Sequence, residues 1–150
     1  MLRTPSGMLA LGFGAGLSPV APGTAGSLAA LPLAFLLKHL SWPWYGAALL
    51  AAVGVGIVVC ERAGRALGVA DHRAIVWDEF CGLWLALALV PNRWPWLVAG
   101  FVLFRLFDIA KPWPAGSIDR RCKNGAGVVL DDLAAGLWTL LVLAVIGVWI

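Results

Sequence analysis

Acidic side chains are rare in this chain, and they are grouped. Only eight of the 150 residues are Asp or Glu, and long apolar stretches separate them into three windows. A carboxylate is costly in apolar surroundings unless it is paired or has a function, so this grouping predicts a site. The windows hold Glu61, Asp71, Asp78 and Glu79, then Asp108 and Asp119, then Asp131 and Asp132.

Four of these carboxylates are candidate ligands of a metal ion: Glu79, Asp108, Asp131 and Asp132. No cluster of Cys and His accompanies them, and oxygen donors select a hard cation, so we expect Mg²⁺. Neighbouring helical residues point about 100° apart, so Asp131 and Asp132 are expected to do different jobs. One would bind the metal, while the other would bind a second metal or orient a ligand.

Cationic side chains flank one of the acids. Arg105, Asp108 and Lys111 recur every three residues and are expected on roughly one helix face. Pro112 disfavours helix at Lys111, so this lysine is expected to leave the line. The stripe is either an internal ion pair or a phosphate clamp with one metal ligand. We favour the clamp, because an inert core would more cheaply use apolar residues, and Arg and Lys beside a metal suggest a phosphorylated substrate.

A proline- and glycine-containing segment, 18–27 (SPVAPGTAGS), is expected near the phosphate. Its prolines stop a preceding helix, and its glycines allow a ligand to approach the backbone. Thr24 or Ser27 would cap the next helix, whose first amides form an anion site. Thr24 and Ser27 therefore join Arg105 and Lys111 as candidate phosphate-binding residues. Taken alone, the segment is better explained as a turn followed by a cap.

Glycines accompany both acid pairs. Gly82 lies three residues after Glu79, and Gly136 lies four after Asp132, so each permits a helix to pack closely beside an acid. The glycine-rich segment 124–127 is predicted to be a turn that places the second acid pair in the first turn of the last helix.

The composition predicts a membrane protein. Hydrophobic residues make up 61% and charged residues 13%, against about a quarter charged in average globular chains, and the mean hydropathy is +0.89. We expect one domain over residues 1–150: an all-α, polytopic helical membrane protein with four to five apolar helices and interfacial polar loops. The alternative is a soluble helical domain with a large apolar interface. The apolar stretches run over about 27–40, 45–60, 80–90, 96–107 and 133–150.

With the N-terminus inside, the loops follow the positive-inside rule, with eight basic loop residues inside and two outside. Tryptophans are expected to form interfacial belts: Trp42, Trp44, Trp94, Trp96 and Trp149 outside, Trp77 and Trp113 inside. The net charge of +3 is small and dispersed, which excludes a nucleic-acid-binding stripe.

Four segments, in this order, are GFGAGLSPVAPGTAGS at 12–27, DHRAIVWDEFCG at 71–82, FRLFDIAKPWP at 104–114 and GAGVVLDDLAAG at 125–136. Together they resemble the phosphatidylglycerophosphatase A family. Asn124 is a departure, since glycine is expected there in relatives. The resemblance implies a Mg²⁺-dependent lipid phosphatase of the bacterial inner membrane, with phosphatidylglycerol phosphate as its anionic substrate and membrane lipid around it. Matching polar positions are Asp78, Glu79, Arg105, Asp108, Lys111, Asp131 and Asp132.

For such an enzyme we expect Arg105 and Lys111 to hold phosphate oxygens at the cytoplasmic face. Asp78 or Asp132 would take a proton from the attacking water. Direct attack by water is favoured over an aspartyl-phosphate intermediate. The rival hypotheses are a small transport or ion-binding protein that uses the same carboxylates, and a membrane scaffold with internal ion pairs. Acids at one end of each apolar helix favour an interfacial site over a cation path.

Overall fold

A computed structural model describes residues 3–149, with only the backbone of 148 and 149. The described residues form seven α-helices and a 3₁₀ helix and contain no strand, which confirms the all-α prediction. The predicted position of the Trp149 side chain lies outside the described residues. The α-helices are α1 Pro5–Ala10, α2 Pro22–Leu37, α3 Trp42–Leu67, α4 Trp77–Ala86, α5 Trp94–Ala110, α6 Ala115–Arg121 and α7 Gly125–Trp149, and the 3₁₀ helix is Gly12–Leu17.

Two helices are long and apolar enough to cross a membrane, α3 and the Gly125–Gly147 part of α7, and α2 is apolar but shorter. The five longest helices correspond to the five predicted apolar stretches, and each begins before its stretch. Helices α3 and α5 also extend past the predicted ends, whereas α2 and α4 end at Leu37 and Ala86, before the predicted 40 and 90. Proline occupies the first turn of α2, α3 and α5, where its missing N–H costs nothing because that group has no intrahelical acceptor. These observations are consistent with a membrane protein.

The short helix α4 is the centre of the molecule. Nine of its ten residues are buried, and it packs against α2, α3, α5 and α7. A helix that is buried all round is a core element. Trp77, predicted to be interfacial, is instead 7% exposed, stacks on Phe80 and donates its indole N–H to the Ala52 carbonyl at 3.0 Å. That prediction was wrong because α3 supplies both the apolar contact and the acceptor that an indole needs.

Side chains from neighbouring helices satisfy the end of α4. The last carbonyls of a helix have no intrahelical donor. Lys38 Nζ donates to the Leu87 carbonyl at 2.6 Å, and the Tyr45 hydroxyl donates to the Trp84 carbonyl. The Trp84 indole in turn donates to the Ala30 carbonyl at 3.1 Å. These bonds fix the height of α4 against α2 and α3.

Glycines set the crossing of α4 and α7, as predicted. A Cβ atom added to Gly82 would lie 2.6 Å from the Asp132 carbonyl oxygen and 2.6 Å from the Phe104 ring. One added to Gly136 would overlap the Gly82 carbonyl. The two backbones therefore touch, which brings the start of α4 beside the acids of α7.

The first turn of α7 differs from the prediction. Gly125 and Gly127 are helical, and no acid lies in the first turn. The amide of Gly125 donates to Glu61 Oε2 at 2.6 Å, and the amide of Gly127 donates to Asn124 Oδ1 at 2.8 Å. Because these two oxygens cap the helix, it begins six residues before Asp131. The second acid pair consequently lies about two turns inside α7.

Candidate active site

One cavity of about 290 Å³ contains the predicted polar residues. Helices α2, α4, α5 and α7 contribute to it, together with the loop between α3 and α4. All seven polar residues that match the expected motif lie on its wall, so the predicted convergence is confirmed. The lining residues are Ala21, Pro22, Gly23, Asp71, Arg73, Ile75, Asp78, Glu79, Arg105, Asp108, Lys111, Asp131 and Asp132.

Three carboxylates meet at the buried end of this cavity. Asp78 and Glu79 begin α4, Asp132 comes from α7, and one oxygen of each lies within 4.8 Å of the others. Their exposures are 6%, 8% and 4%. We call these three residues the carboxylate triad. Asp78, which was expected to act as a base, thus stands beside two expected metal ligands.

The triad has oxygens that the described residues leave without a hydrogen-bond donor. They are Asp78 Oδ1, Glu79 Oε2 and Asp132 Oδ2, each buried. Burying several carboxylates without a partner is strongly unfavourable. A divalent cation bound by one oxygen of each residue would offset the buried charge, and an oxygen-only donor set suits Mg²⁺. The residues present therefore fit the metal that the sequence predicts.

Arg105 is already paired within the protein. Its Nη1 forms a close ion pair with Asp108 Oδ2 and lies 3.6 Å from Glu79 Oε1. Asp108, expected as a metal ligand, therefore holds Arg105 against the edge of the triad. Both alternatives for the stripe are thus represented: an internal ion pair exists, and its arginine faces the same cavity as the triad.

Lys111 leaves the line of α5, as predicted. The helix ends at Ala110, and Lys111 adopts a left-handed conformation with φ of 46°. Its Nζ donates to Asp131 Oδ2 at 2.7 Å and lies 3.1 Å from Asp119 Oδ1. Burial alone would favour neutral Lys111, but the hydrogen bonds and charges of the two aspartates outweigh it and raise its pKa. Asp131, another expected metal ligand, is thereby held in an ion pair.

The same ion pair acts on Asp119. Burial alone would raise the pKa of this carboxyl, but hydrogen bonding and charge from Lys111, with a further contribution from Lys123, hold it below its usual range. Asp119 and Lys111 are therefore charged together near neutral pH, which fixes Lys111 at the cavity wall.

The start of α2 contributes backbone to the cavity. The helix begins at Pro22, and no side chain of the described residues caps it, so the prediction that Thr24 or Ser27 caps it was wrong. Ser27 is fully buried, and its hydroxyl donates to the Gly23 carbonyl at 2.9 Å. Ala21, Pro22 and Gly23 line the cavity, whereas Thr24 and Ser27 do not. Their expected phosphate contacts stay a prediction, and the first-turn backbone is better placed.

Sequence reasoning assigned no role to several cavity residues. Asp71 and Arg73 line the cavity from the loop before α4, and Asp119 pairs with Lys111 from α6. The signal for Asp71 and Arg73 was their position in the same segment as Asp78. Arg73 was counted only as a loop charge that sets the orientation in the membrane.

Known proteins resemble this chain over nearly all of its length. The model of the family "Phosphatidylglycerophosphatase A" matches residues 8–147. A protein of that name from Escherichia coli is 44% identical over 147 residues, covering 97% of this chain and 86% of the relative. One of the same name from Haemophilus influenzae is 40% identical over 150 residues, covering 99% and 92%.

A relative from Bacteroides thetaiotaomicron, named with a provisional assignment as a phosphatidylinositol-3-phosphatase, is 39% identical over 146 residues. The match covers 92% of this chain and 91% of that relative. No solved structure matches the chain. The four motifs occur in the expected order, and their polar residues line one cavity. Together with the matches over nearly the whole length, these observations show that the chain belongs to the phosphatidylglycerophosphatase A family.

Proposed function

We propose that this protein hydrolyses the terminal phosphate monoester of phosphatidylglycerol phosphate, releasing phosphatidylglycerol and inorganic phosphate. Membership of the family supports the reaction and the lipid class. The observation that carries the proposal is the carboxylate triad, in which each member has a buried oxygen that no described residue hydrogen-bonds. The triad lies in one cavity with Arg105 and Lys111.

Asp78, Glu79 and Asp132 would hold Mg²⁺ in this enzyme, since their oxygens lie within 4.8 Å of one another. When bound, the metal would offset phosphate charge and polarise the P–O bond. Asp108 and Asp131 hold Arg105 and Lys111 in ion pairs at the cavity wall. This revises the ligand set expected from the sequence by exchanging Asp108 and Asp131 for Asp78.

The chain's own groups position the phosphate. Arg105 faces the cavity beside Glu79, and its guanidinium can donate to two phosphate oxygens. The ammonium of Lys111 supplies a second positive charge. A water that attacks phosphorus would give its proton to the carboxylate oxygen of Asp78 or Asp132 that does not face the metal, the two bases expected from the sequence. The P–O bond to glycerol then breaks, and the same carboxyl returns the proton to the departing glycerol oxygen.

The rival function, transport or storage of a cation, needs a polar path through the bundle. Along α4, the triad is followed by Phe80, Leu83 and Leu87, all fully buried. No Asp or Glu side chain lies at the end of the bundle near the turn between α2 and α3, because all eight, each among the described residues, lie elsewhere. The polar residues therefore form a cavity that does not continue through the bundle, which suits a headgroup.

Phosphate release from detergent-solubilised protein, with and without Mg²⁺, tests the proposal. We expect release to require the metal, and Mg²⁺ to raise the Tm by binding the folded state. Glu79→Gln keeps the shape but removes a charge, so it should abolish the Mg²⁺-dependent rise in Tm and lower turnover at least about a hundredfold. Unchanged metal binding in this variant would remove Glu79 from the site. Phosphatidylinositol 3-phosphate is the second substrate to test, because one relative is named as a phosphatase of that lipid.

We also infer a multi-pass protein of the bacterial inner membrane whose cavity opens to the cytoplasm, since the basic loops lie at that end. Cys122 is exposed, whereas Cys60 and Cys81 are buried. A membrane-impermeant maleimide should therefore label Cys122 in inverted vesicles and spare it in right-side-out vesicles. Ser41→Cys, in the turn before α3, should show the opposite pattern. Labelling of Cys122 from the periplasmic side would reverse the orientation.

A further inference from the structure

Three cationic side chains line the cavity, and they differ in what already neutralises them. Arg105 is paired with Asp108 and Glu79, and Lys111 is paired with aspartates of α6 and α7. Arg73 lines the same cavity but forms no ion pair or side-chain hydrogen bond with any described residue. It is the cavity cation whose full hydrogen-bonding capacity is available to a ligand.

Arg73 lies at the mouth of the cavity, on a short structured loop. It is exposed, while the triad is buried. The amide of Ile75 donates to the His72 carbonyl at 2.8 Å, and the amide of Val76 donates to the Ala10 carbonyl at 2.9 Å. A turn that is closed by one bond and anchored by another carries Arg73, so its backbone position is fixed although its side chain meets solvent.

The charge around the cavity makes a cation at the mouth useful. Six carboxylates and three cations line it, which gives a formal charge of −3 when all are ionised. A divalent ion in the triad would lower this to −1. An anionic lipid that enters past Asp71, an exposed carboxylate on the same loop, would still meet negative charge before it reached Arg105.

The proposed substrate carries two phosphates of different kinds. The monoester reacts, and the phosphodiester lies one glycerol unit away, between that glycerol and the diacylglycerol. With the monoester at the buried triad, the diester must lie nearer to the mouth, because the acyl chains extend from it into the lipid. A guanidinium can donate two parallel hydrogen bonds to the unesterified oxygens of a phosphodiester.

We propose that Arg73 is a specificity-determining residue that binds the phosphodiester of the lipid, and so distinguishes lipid headgroups from free phosphate monoesters. This rests on the proposed phosphatase function. The contact exists in both the ground state and the transition state, so its loss should raise KM and leave kcat unchanged.

Two compounds separate the phosphates. Glycerol 3-phosphate offers a monoester without the diester, and phosphatidylglycerol offers the diester without the monoester. Arg73→Ala should raise the KM for phosphatidylglycerol phosphate and the inhibition constant of phosphatidylglycerol about tenfold each, the effect of losing one charged hydrogen-bonded contact. The kcat/KM for glycerol 3-phosphate should be unchanged, and Arg73→Lys should restore part of the loss.

Arg62→Ala is the control, because it removes an arginine that is also exposed but does not line the cavity. It should leave both constants unchanged, which excludes a general attraction to anionic micelles. An inhibition constant that does not change in Arg73→Ala overturns the proposal. Equal losses on both phosphate monoesters also overturn it, since they place Arg73 at the reacting phosphate. Failure of the wild-type chain to release phosphate from the lipid overturns the proposed function itself.

Discussion

Replacing Gly82 with alanine tests whether the contact between α4 and α7 assembles the metal site. The new Cβ would lie 2.6 Å from the Asp132 carbonyl oxygen, against 3.4 Å or more for an ordinary contact, so the backbones must separate by roughly 0.8 Å. This obstacle is backbone and cannot rotate away. The shift acts between Glu79 on one helix and Asp132 on the other, which are two of the three proposed ligands.

Two magnitudes follow. Overpacking of this kind costs about 1–3 kcal/mol, partly offset by the roughly 1 kcal/mol that alanine contributes to helix propensity relative to glycine. The fold should therefore survive with a lower Tm. Displacing catalytic groups by about 1 Å can cost on the order of a hundredfold in rate. We expect Gly82→Ala to lose about a hundredfold in phosphate release and to bind Mg²⁺ more weakly.

The assays are Mg²⁺-dependent phosphate release in detergent micelles, the Tm, and the shift of the Tm by Mg²⁺. Gly54→Ala is the matched control, since Gly54 is in α3 and a Cβ there meets nothing within 4 Å. Gly136→Ala probes the other side of the same contact and should behave like Gly82→Ala. Near-normal turnover and metal binding in folded Gly82→Ala would refute the claim that this crossing sets the spacing of the triad.

Two further predictions concern the cavity wall. A Cβ at Gly23 would overlap Glu79 Oε1, so Gly23→Ala should lower turnover about tenfold with little change in Tm. A Cβ at Gly46, in α3, meets no described atom within 4 Å, so Gly46→Ala should leave turnover unchanged and raise the Tm slightly through helix propensity. Asp119→Asn removes a partner of Lys111. Although burial opposes it, Lys111 holds the pKa of Asp119 below its usual value, so the pair contributes stability above pH about 4 that is lost as the pH falls further. At pH 7 the variant should have a lower Tm, and its free energy of unfolding should be lower by about 1 kcal/mol or less because the pair is partly exposed. In thermal scans the difference should shrink as the pH falls through the lowered pKa of Asp119.

The convergence of the acids could be predicted because apolar helices leave few places for carboxylates. The same argument located Gly82 and Gly136 beside them, since only small residues allow such close crossings. It also predicted that Lys111 would leave its helix, because proline follows it. These inferences depend on local chemistry and on the pattern of apolar stretches, both of which are present in the sequence.

The sequence could not predict which carboxylates lie at the metal site and which pair with a cation, because helix packing decides this. Asp108 and Asp131 were expected at the metal but lie against Arg105 and Lys111, and nothing in their spacing distinguishes them from Asp78. The start of α7 was missed because glycine disfavours helix. There, the Glu61 carboxylate of α3 caps the helix, and a Cβ at Gly125 would crowd α3, at 2.5 Å from the Glu61 amide nitrogen.

The height of α4 has a consequence for the lipids that can react. Its first residue, Trp77, bonds to Ala52, near the middle of the 26-residue helix α3, and its ten residues rise about 15 Å, half of a typical hydrocarbon layer. The acids at its start are thus recessed within the protein, where Asp78 and Glu79 are 6% and 8% exposed. In a bilayer, a phosphate fixed directly to diacylglycerol would stop short of them, whereas one carried on a three-carbon arm can reach down to them. The distance between the reacting phosphate and the diacylglycerol would then select the substrate as much as its charge does.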